Sequence, residues 1–262
     1  QVTIDVNKAQ PIIHWQTPPP ITFGTLPGDD QLNATANVPG TLVYNPPAGT
    51  KLNAGPQQPL RVIFTPTDGS NYFTGSAQVT IDVNKAQPGI IWQTPGPITF
   101  GTLLGDDQLN ATADVPGTFV YDPPAGTKLN AGLQQPLHLT FTPTDTSNYL
   151  GGTGQVLIDV GKATPAIVWQ NPKPITYGTL LGIDQLNATA DVPGTFVYDP
   201  PALTKLGAGL QQPLRTTFTP TDTTNYYTGT TQVTIDVGKA TPAILWQNPK
   251  PITYGTLLGI DQ

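Results

Sequence analysis

Cysteine, methionine and glutamate are all missing from this 262-residue chain. Without Cys there is no disulfide to staple a small domain and no thiolate to act as nucleophile. Without Cys and Met the two most readily oxidised side chains are gone, which suits an exposed, extracellular setting. All 17 acidic residues are Asp, and charged residues make up 11% of the chain, well below the roughly 25% usual for soluble domains. A net charge of −6, with Lys and Arg scattered, argues against nucleic acid, whose binders carry basic patches. No apolar run approaches the ~18 residues that a spanning helix needs. The only histidines are His14 and His138, at different phases of the chain's repeat, and Ser70, Ser76 and Ser147 are the only serines. None of these serines lies in a nucleophile-elbow context. GGTG at 151–154 reads as a loop rather than a phosphate cradle, because no helix is expected after it. The usual metal and acid–base sets cannot be assembled. The expectation is a protein that is no enzyme and holds no cofactor.

What the chain has in abundance is itself. The stretch DQLNATADVPGTFVYDPPAGTKLNAGLQQPL at 107–137 returns at 184–214 with only Gly126→Leu203 and Asn130→Gly207 changed. Trp15, Trp92, Trp169 and Trp246 are evenly spaced by 77 residues, as are Ile21, Ile98, Ile175 and Ile252. A fixed period of this kind must be read before anything else, since it sets the fold. Taking QVTIDV as the end of a unit, the complete units are 7–83, 84–160 and 161–237. Residues 1–6 read as the last strand of a preceding unit and 238–262 as the start of a following one. The phase of the two ends is expected of a window from a longer chain.

Within a unit the apolar residues alternate with period two, the mark of half-buried strands. Val79, Ile81 and Val83 share one face of the closing strand, as do Leu60, Val62 and Phe64 in the segment before it. Leu109, Ala111 and Ala113 point inward between outward Asn110 and Thr112. Phe119 and Tyr121 form another inward pair, ended by Pro123-Pro124, because proline cannot donate to a ladder. Ile90 and Trp92 open the unit. The 30 Pro and 27 Gly fall between these runs and read as turns. The fold class is therefore all-β: tandem immunoglobulin-like β-sandwiches of about six or seven short strands, arranged as a rod. Tyr72, Tyr149 and Tyr226, each four residues after an Asp, are expected to form tyrosine corners that hydrogen-bond the backbone upstream.

The succession PITYGT, LNATA, GTFVYDPPAGTKLNAG and FTPTDTTNY followed by VTIDV resembles bacterial immunoglobulin-like tandem repeats of secreted or surface-attached proteins. The resemblance covers every unit. It implies a stalk, adhesin shaft or matrix fibre at the cell surface, of the kind found in biofilms, and brings no catalytic residues with it.

Several residues are weighed as sites. Asn33, Asn110 and Asn187 each begin Asn-Ala-Thr, the glycosylation acceptor pattern, against an ordinary outward polar residue. His14, Ile91, Val168 and Leu245 share one phase opposite the tryptophan face. They are candidates for contact with the neighbouring domain or with another chain, against burial by the unit's own loops. Asp82, Asn84, Asp106 and Asp107 are too few and too poorly kept for a calcium junction, since Ile183 replaces Asp106 in the third unit. Lys85 and Asp82 are candidates for an isopeptide bond, but Asp82 faces outward. The tryptophans are expected in the core rather than as sugar platforms. The partners expected are neighbouring repeats of the same chain or identical chains in a filament. The function expected is structural, with a multi-chain filament subunit or a ligand-binding adhesin as alternatives.

Overall fold

The computed structural model describes residues 2–260 and contains strands, turns and no helix. The first repeat has six strands: β1 (Ile13–His14), β2 (Ile21–Thr22), β3 (Thr35–Ala36), β4 (Gly40–Asn45), β5 (Gly55–Pro66) and β6 (Gly75–Asn84). The second repeats them as β7 (Ile90–Ile91), β8 (Ile98–Thr99), β9 (Thr112–Ala113), β10 (Gly117–Asp122), β11 (Gly132–Pro143) and β12 (Gly152–Gly161). The third follows with β13 (Ile167–Val168), β14 (Ile175–Thr176), β15 (Thr189–Ala190), β16 (Gly194–Asp199), β17 (Gly209–Pro220) and β18 (Gly229–Gly238). The chain divides into two compact units, residues 1–160 and 161–262.

Each repeat builds a four-stranded sheet in the order β2-β6-β5-β4 and a two-stranded sheet, β1-β3, with the equivalent orders in the later repeats. The last three strands of the larger sheet are antiparallel, while β2 joins β6 in parallel, Ile21 opposite Val83. A central run of antiparallel strands with a first-strand segment added parallel to the last is an immunoglobulin-like sheet. The opening strand is shorter than expected. In the second repeat it is Ile90–Ile91 alone, paired with Thr112–Ala113, because Pro88, Pro95 and Pro97 around it have no N–H to offer.

Alternation puts the expected residues inside. Leu60, Val62 and Phe64 are buried, as are Leu137, Leu139 and Phe141, and so are Leu214, Thr216 and Phe218. Thr216 is tolerated there because its hydroxyl donates to Val197 O at 3.1 Å, so no buried polar group is orphaned. The long strand β5 contains Pro56, inside a bulge between Gly55 and Gln58, and Pro59, opposite Thr80 where the ladder resumes. Gln57 there sits at φ +52°, and its N–H donates to Asp82 Oδ1 at 2.8 Å. Gln134 with Asp159 and Gln211 with Asp236 repeat the device. The outward Asp of each closing strand therefore holds a strained bulge in place.

Glycine is demanded where strand β10 begins. A Cβ on Gly117 would collide with the Phe141 ring, and Gly40 and Gly194 face Phe64 and Phe218 in the same way.

The flanking segments differ from expectation. Residues 2–6, expected as a closing strand, form none, and Val2, Ile4 and Val6 are exposed. Beyond Gly238 no strand forms among the described residues either. A strand needs neighbours to bond, and among the described residues no strand pairs with these segments. Gln1, Asp261 and Gln262 lie outside the described residues.

Candidate functional site

Most polar residues singled out in the sequence serve the fold. Each tryptophan of a complete repeat is half-buried and donates Nε1–H to a loop carbonyl: Trp15 to Gln31, Trp92 to Gln108 and Trp169 to Gln185, at 3.0, 3.0 and 3.1 Å. Tyr44, Tyr121 and Tyr198 meet these indoles edge-on at 5.3–5.4 Å. The indole body is thus core and its polar tip is bonded, the usual economy of a buried tryptophan.

For Tyr72 and Tyr149 the tyrosine-corner expectation is corrected, since among the described residues neither hydroxyl bonds backbone upstream. Hydroxyls that meet upstream backbone belong to tyrosines of strands β4, β10 and β16: Tyr44 is bonded by the Ala34 backbone, Ala111 N–H donates to Tyr121 OH at 2.9 Å and Ala188 N–H to Tyr198 OH at 3.0 Å. Burial raises the Tyr198 pKa above its ordinary value, with the Ala188 hydrogen bond opposing. Tyr149 has another role, described below.

Asn33, Asn110 and Asn187 are exposed, and each Nδ2 donates to a turn carbonyl, of Asp30, Asp107 and Asp184. Among the outer-face residues, His14 is exposed, and Ile91, Val168 and Leu245 are 66%, 59% and 88% exposed. The unit's own loops therefore leave that face uncovered. Lys85 does not approach Asp82: its Nζ donates to Thr146 O at 2.6 Å. Among the described residues, no three of His, Cys, Asp or Glu gather as metal ligands.

A shallow concavity of about 550 Å³ lies over the outer sheet face of the third repeat, lined by Asp199, Arg215, Gln232 and neighbouring threonines. The registers put Asn45, Arg61 and Gln78 there in the first repeat, and Asp122, His138 and Gln155 in the second. This face changes charge from repeat to repeat, so it does not present one recognition surface three times.

A different cluster stands out inside the unit 1–160, where the first repeat meets the second. It begins with the segment TDTSNY at 144–149. Asp145 Oδ1 accepts the Asn148 backbone N–H at 3.1 Å and Oδ2 accepts Asn148 Nδ2–H at 2.8 Å. This local loop, an Asx-type turn, uses up the amide's donor side and leaves its acceptor to point away. Asn148 Oδ1 then accepts the backbone N–H of Ala54, 94 residues earlier, at 2.7 Å. Asn148 is 8% exposed, and a buried amide is tolerated only when bonded in this way.

The aromatic side chains flank that bond. Phe23 follows β2, and its N–H donates to Asn84 O at 2.8 Å, which places the ring where β6 leaves the first repeat. There it meets Tyr149 edge-on at 5.3 Å and 81°. Lys51 Nζ sits 4.2 Å from the Phe23 ring centroid, a cation–π contact. The Asp145 carboxyl is held below the usual carboxylate range, first by the Asn148 side-chain hydrogen bond and last by the Lys51 charge.

The connecting residues are pinned as well. Lys85 reaches Thr146 O, Ala86 N–H donates to Asn148 O at 2.9 Å, and Leu150 N–H returns to Ala86 O at 2.9 Å. The linker is thereby built into the corner of the second repeat. Pro88 directly after it also restricts its predecessor to extended geometry. Sequence reasoning missed this joint because a hydrogen bond over 94 residues has no local trace. The recurring Asp-x-x-Asn-Tyr, in phase with ITF and ITY, was the available signal.

No family model and no curated protein sequence matches the chain. Among solved structures, the chain is similar to Drosophila N-cadherin EC1-3, at 14% identity and a TM-score of 0.29, covering 86% of this chain and 99% of that one. It is also similar to Sidekick-1 immunoglobulin domains 1–5, at 11% identity and a TM-score of 0.26, covering 88% of this chain and 59% of that one. The zebrafish RET cadherin-like domains 1 to 4 give 9% identity and a TM-score of 0.25, over 76% of this chain and 66% of theirs.

Proposed function

We propose that this chain belongs to a structural, extracellular or cell-surface protein, a stalk, adhesin shaft or fibre built by stacking immunoglobulin-like domains head to tail. The observation that carries this reading is the joint of the first unit. Backbone Ala54 is bonded to the buried Asn148, Phe23 packs on Tyr149, and the linker is tied down at Lys85 and Ala86. A flexible tether would invest nothing in such contacts. In tandem arrays, contacts of this kind between neighbouring repeats add to the stability of each. Function lies in length and regularity, which is why the text of one unit is written again and again. We also propose that the chain is no enzyme, on the support of its residue inventory and the non-equivalent phases of His14 and His138.

The test is electron microscopy of the native material. Single chains with evenly spaced domains are the expected outcome. Coiled, irregularly spaced domains would overturn the shaft. A second reading, lateral assembly into a multi-chain filament, is favoured by the exposed apolar residues Ile91, Val168 and Leu245. Replacing all three with Asp separates the two: a shaft stays folded and unchanged, and a filament falls apart into single chains.

A further inference from the structure

Three asparagines, one in each complete repeat, are presented to solvent by the same local device. Asn33, Asn110 and Asn187 are each followed by Ala and Thr, and no other Asn of the chain has Ser or Thr two residues on. The middle residues Ala34, Ala111 and Ala188 are buried, at 5%, 9% and 8% exposure. Two of them are also tied inward, Ala111 N–H to Tyr121 OH and Ala188 N–H to Tyr198 OH. With the Ala anchored in the core, the alternation of an extended chain turns the Asn and the Thr of each triplet to one outward face. All six of these side chains are exposed. Asn33 is exposed in a repeat whose joint with its neighbour is closed through Ala54 and Asn148, so stacking leaves the acceptor in reach.

The amide can react without loss of the turn it supports. Nδ2 carries two hydrogens. Among the described residues the fold uses one, donated to the carbonyl of Asp30, Asp107 or Asp184 at 3.2, 3.2 and 3.3 Å. These distances lie at the long end for an N–H···O bond. Replacing the other hydrogen leaves an N–H that still serves the same carbonyl. Each Thr belongs to a strand paired over two residues alone, β3, β9 or β15, and so short a pairing opens at little cost.

We propose that Asn33, Asn110 and Asn187 are N-glycosylation sites, with a diphosphate-activated sugar as donor. Nδ2 forms a bond to the anomeric carbon of the sugar, and the bond from that carbon to the diphosphate oxygen breaks. The diphosphate leaves with the electron pair, and one Nδ2 proton passes to a base of the glycosyltransferase. Asn-Ala-Thr is the acceptor pattern for this chemistry. Charged residues make up 11% of the chain, and a bulky, hydrated sugar on every repeat supplies solubility that so few charges do not. The proposal does not rest on the stacked-shaft reading, which stands if the sites prove bare.

The test is peptide mapping of the native protein by mass spectrometry, with fragmentation that keeps a sugar on its side chain. The expected result is sugar mass localised on all three Asn. In a chain carrying Thr112→Val, made in the same source organism, the sugar is lost from Asn110 and kept on Asn33 and Asn187. Thr112→Ser restores it. Valine has the branched shape of threonine and leaves Asn110 with its turn bond, so a merely structural role of Asn110 does not predict the loss. Blocking the synthesis of lipid-linked diphosphate sugars tells two donors apart: the sugar disappears if the diphosphate is lipid-borne and persists if it is nucleotide-borne. Bare Asn at these positions, or sugar on Asn110 that survives Thr112→Val, overturns the proposal.

Discussion

Residues 162–185 and 239–262 are the same 24-residue text but for Val168, which becomes Leu245. Their described residues take different structures. In the first copy Ile167 and Val168 pair with Ala190 and Thr189, Ile175 pairs with Val237, and Leu181 is wholly buried. In the second, Leu258 is 78% exposed, Trp246 is 81% exposed and no strand forms among the described residues. One element survives in both. The turn Thr179 N–H to Thr176 O at 3.0 Å, with Gly178 at φ +102°, reappears as Thr256 N–H to Thr253 O at 3.1 Å with Gly255 at +94°. A turn closes on its own residues, and glycine supplies its positive φ at little cost. A strand is completed by residues far away, and among the described residues no strand pairs with the later copy.

The sharpest way to break this comparison is to make one change in both copies. Trp169→Ala removes a ring packed on the core and bonded to Gln185, and should cost the third repeat about 3–5 kcal/mol. Trp246→Ala, at a ring that is 81% exposed, should cost far less. Urea titration followed by amide exchange reads both, and equal effects would show that the two copies share an environment after all. A smaller effect is expected at Gly117→Ala, where the added methyl meets Phe141. Overpacking of this kind costs about 1–3 kcal/mol, and the loss should fall on the second repeat alone.

Asn71 and Asn148 offer a second pair of equivalent positions in different surroundings. Asn148→Ala strips the Ala54 N–H of its acceptor and should cost about 1 kcal/mol, read as loosened spacing between the first two repeats in solution scattering. Asn71→Ala, at a residue that takes no part in the joint of the first two repeats, should leave that spacing unchanged.

The smallest effect belongs to pH. Asp145 is held below its ordinary range chiefly by Asn148, and Asp68 is lowered in the same way by Asn71. A depressed carboxyl stabilises the fold fully above its unfolded value, near 4. It loses that contribution as pH falls through the lower folded value. Chemical denaturation repeated from pH 5 down to 2 should show a shallow loss, and Asp145→Asn should remove its share of the slope. Both carboxyls are at the surface, so solvent screening keeps the effect small.

Where legibility ended is instructive. The inward faces of Leu60-Val62-Phe64 and Val79-Ile81-Val83 could be read directly because alternation is a local property that burial enforces. The same holds for the turns and the period of the chain. The Asp82 carboxylate looked like one more solvated group, since a bulge at Gln57 has no signature in the letters around Asp82. The segment TDTSNY carried enough information to suggest an ordered corner. Its contribution as a joint depended on Ala54 and Phe23 arriving from another repeat.

Pattern and spacing were therefore sufficient for the strands, the turns and the immunoglobulin-like class, because each follows from the periodicity of side chains along one short segment. Tertiary structure alone decided which Asn is buried, which tyrosine bonds the backbone and whether ITYGTLLGI becomes a strand and core or stays exposed. Those outcomes are set by partners tens of residues away. A hydrogen bond or a buried face exists only when both halves are brought together.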